Sequence, residues 1–535
     1  LLVVFSFGCL SEKEYIKPPN IILILADDMG YSDLGCFGSE IITPNLDRLA
    51  YDGLRMTNFY NSAKCCPSRA ALMTGLYPHQ AGMGDMVEGR LLPDSTALPA
   101  YQGYLNQNCV TLAEVLGQHG YHTVISGKWH LGDTAPYWPH ERGFEKVFSL
   151  IHGMSNYFNL DPWLRPDQEI TLMDGNQEFK AGEDFYMTRA FSDRAIEFLE
   201  DRPKDKPFFL YLAYTAPHYP LHALPEDIEM FRGTYLEGWD SIRNKRFQKM
   251  KQLGIVADEY LLPPKYQAGE LTPEWDSLTA AEKEQFDLRM ATHAAMIYRM
   301  DQGIGRVVNA LKEQHELDNT LIMFMSDNGA APAALYRSKY FIAETSGEIG
   351  TEQSFDSQGP AWANVSNTPL RLFKRYTAEG GINSPFIAHW PAGIKAGQVV
   401  GTPGHVIDIM PTVLEISGST YPQSFRKQPI QPLEGTSLLP TFSGNELPVR
   451  PLFFEHMGYK AVRQGPWKLV SNQSKNNPQS QWQLFKVDID PGETTDLSKA
   501  HPNKREELVT VYHQWADRVG VYEPYDSLIL ARRFR

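Results

Sequence analysis

A chain of 535 residues with 42% hydrophobic and 21% charged content has the make-up of a folded globular protein large enough for more than one core. Its net charge of −14 argues against a nucleic-acid or anionic-membrane partner unless basic residues are locally concentrated, and no such run is present. The five cysteines, Cys9, Cys36, Cys65, Cys66 and Cys109, are odd in number and lack repeated C-x-x-C spacing, so a disulfide scaffold is not indicated.

In chain order, the apolar run Leu1 to Leu10 reads as the tail of a signal peptide. Phe7-Gly8-Cys9, followed by the polar Leu10 to Glu14, resembles the end of a bacterial lipoprotein signal with Cys9 as the lipid-bearing residue; a plain cleaved signal is the alternative. Either one exports the protein, to the periplasm or the cell surface. No later segment approaches a membrane span.

Short apolar runs then alternate with helical patterns, the signature of an α/β fold with a large, mostly parallel sheet between helices. The expected strands are Ile21–Leu25, His122–Ile125, Phe208–Leu212, Leu321–Met325 and Pro385–Ala388. A helix is expected from Thr111 to about His119, with Thr111 and Glu114 as a capping box and Gly120 ending it. Another is expected over Ala291–Glu313. Beyond about Arg450 the texture changes to short strands, Leu452–Glu455, Tyr459–Arg463, Trp467–Val470 and Trp482–Val487, then an amphipathic helix, Lys504–Val519. This predicts an export segment at 1–18, a catalytic domain at 19–448 and a smaller antiparallel sheet with one helix at 449–535. Two stretches, Tyr219 to about Asp287 and Ala333 to about Leu372, fit neither pattern and are expected to shape a pocket.

Three clusters carry chemistry. Asp27-Asp28 stands directly after an apolar strand, where ligands sit in open α/β sheets. Adjacent carboxylates repel, so a hard cation is the economical way to hold them; a turn or an N-cap is the other reading. Asp327-Asn328-Gly329 repeats the arrangement after a second strand, with a tight Asn-Gly turn as its alternative. Together they make an all-oxygen site that suits calcium better than zinc. The third cluster runs from Lys64 through Cys65-Cys66-Pro67-Ser68-Arg69 to Gly75. Pro67 suits a first helical turn and Gly75 a C-terminal cap, so Cys65 is expected at a helix N-terminus, the end that attracts anions.

Cys65-Cys66-Pro67-Ser68-Arg69 followed by Leu72-Met73-Thr74-Gly75 resembles the signature of formylglycine-dependent sulfatases, of alkaline-phosphatase-like fold. The resemblance extends over nearly the whole chain: Asn20 to Asp28, Gly127-Lys128-Trp129-His130-Leu131-Gly132, Ala216-Pro217-His218 and Ser326-Asp327-Asn328-Gly329 all match. It implies that Cys65 is oxidised to formylglycine by a separate maturing enzyme, and that Asp27, Asp28, Asp327, Asn328 and the modified Cys65 bind calcium. It further implies that Arg69 holds the aldehyde hydrate and that Lys128 and Lys374 bind sulfate oxygens, with Arg371 and Arg375 as near alternatives to Lys374. Those lysines are the focused cations an acidic enzyme needs for an anionic substrate. His218 is the expected proton donor to the leaving oxygen and His130 the acceptor when sulfate is released; both follow strand ends on the side of the acidic pairs.

A sulfate monoester resists nucleophiles because its oxygens already carry negative charge, so the site must neutralise them and present a positioned oxygen nucleophile. Two other readings are a phosphate or phosphonate ester hydrolase of the same superfamily, and a glycan binder whose Cys65 stays a thiol. The segments Gly82 to Val110 and Gly359 to Asn364 resemble bacterial arylsulfatases. A sulfated small molecule or a sulfated glycan is the expected substrate, and Trp362 a candidate for stacking on a sugar ring.

Overall fold

The apolar runs are two-faced, and that dictates the architecture. In strand β1 (Asn20–Ala26), Ile21, Leu23 and Leu25 join one hydrophobic cluster while Ile22, Ile24 and Ala26 join another. A strand with two apolar faces must be covered on both sides, as in a buried parallel sheet. The computed structural model describes residues 18–87, 98–160, 170–266, 272–335, 347–471 and 481–522. The export segment with Cys9 lies outside them.

Among the described residues the main sheet has eleven strands. After β1 come β2 (Leu54–Tyr60), β3 (His122–Lys128), β4 (Lys146–Leu150), β5 (Leu172–Asp174), β6 (Gln177–Glu178) and β7 (Phe208–Ala213). These are followed by β8 (Thr320–Ser326), β9 (Asn383–His389), β10 (Gln398–Val400) and β11 (Gly404–His405). Their order is β10-β2-β9-β8-β1-β7-β3-β4-β5-β6, with β11 also on β2. Strands β8, β1, β7, β3 and β4 run parallel, and β9 is antiparallel to both β8 and β2.

Helices cover both faces. Cys65–Thr74, Leu112–Gln118 and Ile409–Ser417 pack into the first cluster, and Pro44–Tyr51, Met187–Asp201 and Ala280–Glu313 into the second. The expected capping box is present, with Glu114 N–H donating to Thr111 Oγ1 at 3.0 Å and Thr111 N–H to Glu114 Oε2 at 2.8 Å. The four described cysteines are free and buried.

Register positions the site. Leu25 pairs with Ala213, Ala26 with Ser326, and Gly127 with Ala213, so four parallel strands end together. Asp27, Lys128 and Asp327 therefore stand at one rim. Gly127 is required there: it has φ 133°, and a Cβ on it would lie 2.0 Å from Ala213 O.

The C-terminal strands are Pro451–His456, Tyr459–Gln464, Trp467–Ser471 and Gln483–Lys486, an antiparallel sheet followed by the helix Pro502–Val519. Its core is continuous with the large domain's first cluster: Trp515 stacks on Phe453 with centroids 4.9 Å apart and meets Tyr77 edge-on at 5.1 Å.

Two expectations are corrected. The helix expected from Ala291 begins at Ala280, capped by a Thr279–Glu282 box, and Trp239–Gln252 is also helical, so much of 219–287 is packed structure. Trp362 is wholly buried, with its Nε1 donating to Phe286 O at 2.9 Å and its ring edge-on to Trp239 and Tyr235. It supports the helix packing and offers no face to a sugar.

Candidate active site

Cys65 is the first residue of the helix Cys65–Thr74, with extended Lys64 as its cap, and Gly75 closes the helix in the left-handed region at φ 68°. Ser68 Oγ accepts the Ser62 N–H at 2.8 Å, which ties the incoming loop to the first turn. Arg69 lies one turn beyond Cys65 on the same face.

The rim groups converge. Cys65 Sγ is 3.5 Å from Asp27 Oδ1, 4.0 Å from Asp28 Oδ1 and 3.1 Å from Lys374 Nζ. Arg69 Nε donates to Asp327 Oδ2 at 3.0 Å, its Nη2 pairs ionically with the same oxygen at 2.9 Å, and its Nη1 donates to Lys128 O at 2.9 Å. Lys128 Nζ bonds Asp27 and Lys374 Nζ bonds Asp28. Asn328 Nδ2 donates to Asp28 Oδ1 at 2.7 Å, and His218 Nε2 lies 3.5 Å from Asp28 Oδ2. His130 stands two residues beyond Lys128, buried at the same strand end with a left-handed φ of 57°. Arg371 points elsewhere, to Glu493 at 3.1 Å, and Arg375 lies over the Tyr459 ring. Of the three basic candidates in that loop, Lys374 is the one that reaches Cys65.

Electrostatics show what the cluster lacks. Burial pushes the Asp27 carboxyl up, but Lys128, His218, Arg69 and Lys374 hold it well below the usual range. Asp28 is likewise held down against burial, chiefly by Lys374 and His218. Asp327 goes the other way: burial and the Asp27 charge lift it to about 7 despite Arg69 and Lys128. Burial also lowers His218 to about 4 and raises the Cys65 thiol to about 12, so the thiol stays protonated at neutrality.

Three carboxylates thus already occupy the three strong cations. The amide oxygen Asn328 Oδ1 and the carboxylate oxygen Asp28 Oδ2 are buried with no hydrogen-bond partner among the described residues, His218 Nε2 lying 3.5 Å from the latter. Hard oxygen donors left over among crowded carboxylates fit a divalent ion such as calcium.

Two supporting residues escaped sequence reasoning. Tyr157 places its hydroxyl 2.7 Å from Thr215 O and 2.8 Å from His218 O, fixing the loop that carries His218. Tyr211 of β7 sits beneath Arg69; burial pushes its hydroxyl up to about 12 against the pull of that guanidinium. Tyr157 lies in a segment without periodicity, and Tyr211 is indistinguishable in sequence from its core neighbours.

A family model described as Sulfatase matches residues 19–419. An uncharacterized sulfatase of Schizosaccharomyces pombe is 36% identical over 535 residues, 96% of this chain and 96% of its own. The arylsulfatase of Klebsiella aerogenes is 37% identical over 444 residues, 78% of this chain and 91% of its own. Among solved structures, Ps i-CgsB in complex with k-i-k-neocarrahexaose has 30% identity and a TM-score of 0.68, over 95% of this chain and 94% of that one. The long match and the alkaline-phosphatase-like sheet agree: this chain belongs to the sulfatase family and hydrolyses sulfate esters.

Proposed function

We propose that this sulfatase cleaves the sulfate monoester of an aryl alcohol or a carbohydrate, using formylglycine made from Cys65 and calcium held by Asp27, Asp28, Asp327, Asn328 and that residue. One observation carries the reading: ligand atoms of Asp27, Asp28, Cys65 and His218 all lie within 4.8 Å of one another. The protonated thiol of an unconverted Cys65 is a poor nucleophile, which supports conversion. When present, the aldehyde hydrate supplies a hydroxyl nucleophile and a second hydroxyl through which sulfate can leave, and calcium supplies charge neutralisation.

The chain's own residues do the rest. Lys128 and Lys374 now neutralise Asp27 and Asp28. Once those carboxylates are satisfied by a divalent ion, both ammoniums are available to sulfate oxygens. Arg69, held by Asp327 and Lys128 O, orients the nucleophile, and Asp327 is placed to accept its proton. His218 Nδ1 lies 2.6 Å from Tyr219 O and is the donor in that pair, which leaves Nε2 facing the cluster; the ring serves the leaving oxygen as an imidazolium, with Nε2 also protonated, and returns to the neutral form on giving that proton up. His130 takes the proton when sulfate departs.

The relatives include an arylsulfatase, and one structural neighbour was solved with a carrahexaose, which supports both substrate classes. Export to the periplasm or the cell surface, by a cleaved signal or with Cys9 as a lipid-bearing residue, and conversion of Cys65 by a separate maturing enzyme complete the proposal.

The test is peptide mass spectrometry across Lys64 to Arg69 of protein from its natural host. It is paired with metal analysis and with rates on matched aryl sulfate, phosphate and phosphonate esters and position-defined sulfated saccharides. An aldehyde, bound calcium and preference for sulfate are expected; a thiol in protein that turns over, or activity that survives chelation, overturns the mechanism.

A further inference from the structure

Within the cluster, charge is balanced: Asp27, Asp28 and Asp327 meet Arg69, Lys128 and Lys374. Two further cations stand beside Cys65 without such partners. Lys64 immediately precedes it, and the Arg375 backbone N–H donates to Ala63 O at 2.7 Å, which ties the Lys374–Arg375 turn to the stretch leading into Cys65. Among the described residues no carboxylate forms an ion pair with either side chain. The Arg375 guanidinium lies instead over the Tyr459 ring, 5.6 Å from its centroid, and its buried Nε has no hydrogen-bond partner.

A third group completes the pocket. His456 is the register partner of Tyr459 across the first C-terminal hairpin. It is completely buried, and among the described residues neither ring nitrogen has a side-chain or backbone group in hydrogen-bonding geometry with it. Burial, then Lys64, Arg375 and His79, hold its pKa well below the usual value, against the Gly84 backbone. Two cations held close together with no ion-pair partner are costly, and an anion relieves them.

Part of this cluster reaches the surface. Lys64, Arg375, Tyr376, Met457 and Tyr459 are each partly exposed, whereas Tyr60 to Ala63 and the whole helix from Cys65 are buried. Tyr376 and Tyr459 lie with ring centroids 4.7 Å apart and form an apolar wall beside the cations.

We propose that Lys64 and Arg375 form a second anion subsite, for a substrate that carries another sulfate or a carboxylate close to the ester being cleaved. The inference rests on the sulfatase reading of the neighbouring site and narrows its substrate to polyanionic molecules. Neither residue takes part in bond cleavage; both bind a group that does not react.

Equilibrium binding tests the subsite without turnover. Calorimetry on the full chain in its thiol form, with calcium, compares a hexosamine 6-sulfate with the same sugar bearing an added N-sulfate, and an aryl sulfate carrying a carboxamide with its carboxylate analogue. The doubly anionic member of at least one pair is expected to bind at least tenfold more tightly. Lys64→Gln and, independently, Arg375→Gln should bring that ratio toward one, and Arg375→Lys should retain most of it. Circular dichroism identifies any variant that does not fold, and either folded variant suffices for the comparison. Equal affinity within both pairs, no binding by any of the four, or a preference that survives in a folded Gln variant overturns the subsite. Hydrolysis of the same esters by the aldehyde form is scored separately: a preserved affinity ratio with no hydrolysis counts against the catalytic reading and leaves the subsite standing.

Discussion

Lys374 and Arg371 are three residues apart in one loop, yet their surroundings assign them different work. Lys374 Nζ sits between Asp28 and Cys65 Sγ, whereas Arg371 holds Glu493 and lies over the Phe485 ring. With calcium bound to take over Asp28, Lys374→Met is therefore expected to lower kcat/KM by about 10²- to 10³-fold with little change in the urea midpoint, the size typical for loss of one preorganised charge at a reacting group. Arg371→Met should do the reverse, costing about 1 to 3 kcal/mol of stability because Glu493 is left buried with one cation fewer. Steady-state kinetics beside urea titration separates the two; equal catalytic losses would refute the assignment. The sequence could nominate both residues but not choose between them, because the choice depends on a contact with Glu493, 122 positions away. The acidic pairs and Cys65 were legible for the opposite reason: strand ends, a first-turn proline and a closing glycine are local signals.

At the scale of elements, the legible strands of the main sheet are those with two apolar faces, and the parallel ones among them, β1, β3, β7 and β8, end at the rim. Strand β2 was not: in Leu54–Tyr60 polar residues interrupt the run, the register shifts between Met56 and Phe59, and buried Arg55 donates to Cys36 O at 2.9 Å. The first turns of the helix Ala280–Glu313 were missed because Glu282, Lys283, Glu284 and Gln285 show no apolar stripe, although the Thr279–Glu282 box was there to be read. Gly127 tests whether strand register truly sets the site. Its substitution by Ala must both adopt φ 133° and force a Cβ to within 2.0 Å of Ala213 O, so β3 has to move away from β7. Gly127→Ala is expected to cost more than about 3 kcal/mol and to remove activity together with stability, since Lys128 follows directly. A variant with wild-type unfolding and wild-type kinetics would show that the rim tolerates a shift the geometry forbids.

For the whole molecule, the expected division at 448 and 449 separates two sheets but not two cores. Beyond the shared aromatic cluster, Lys468 of the C-terminal sheet is buried between Glu379 at 2.7 Å and Glu493 at 3.0 Å, and Tyr60 donates to Glu379 Oε2 at 2.9 Å. Lys468→Met strands two buried carboxylates and is expected to cost about 3 to 5 kcal/mol in urea titration, unfolding both parts in one transition; two separate transitions would contradict a shared core. Acid should act on the same assembly through buried histidines. His222 donates Nε2–H to Ser354 O at 2.7 Å and accepts the Tyr157 N–H on Nδ1 at 3.3 Å, so folding holds it neutral, and burial lowers its pKa to about 4. His405 is buried too and lies well below its ordinary value. A histidine whose pKa is lowered by folding contributes stability that is complete above its unfolded value of 6.5 and is lost as pH falls toward the folded value. Asp301 opposes this: burial raises it to about 6, so its ionised form destabilises the fold and stability is recovered as pH falls from 6 toward 3.8. His389 and His456 are lowered like His222 and His405, while Asp47, Asp227 and Asp408 are raised like Asp301; between pH 7.5 and 5 the unfolded histidines, with an ordinary value of 6.5, are the groups that take up protons, so the balance is a net loss. With excess calcium present throughout, so that metal release does not contribute, the urea midpoint is expected to be lower at pH 5 than at pH 7.5 by about 0.5 M or more. His222→Gln can keep both hydrogen bonds without a titrating group and should narrow that gap; a midpoint that rises on acidification would place the controlling charge on the carboxyl side instead.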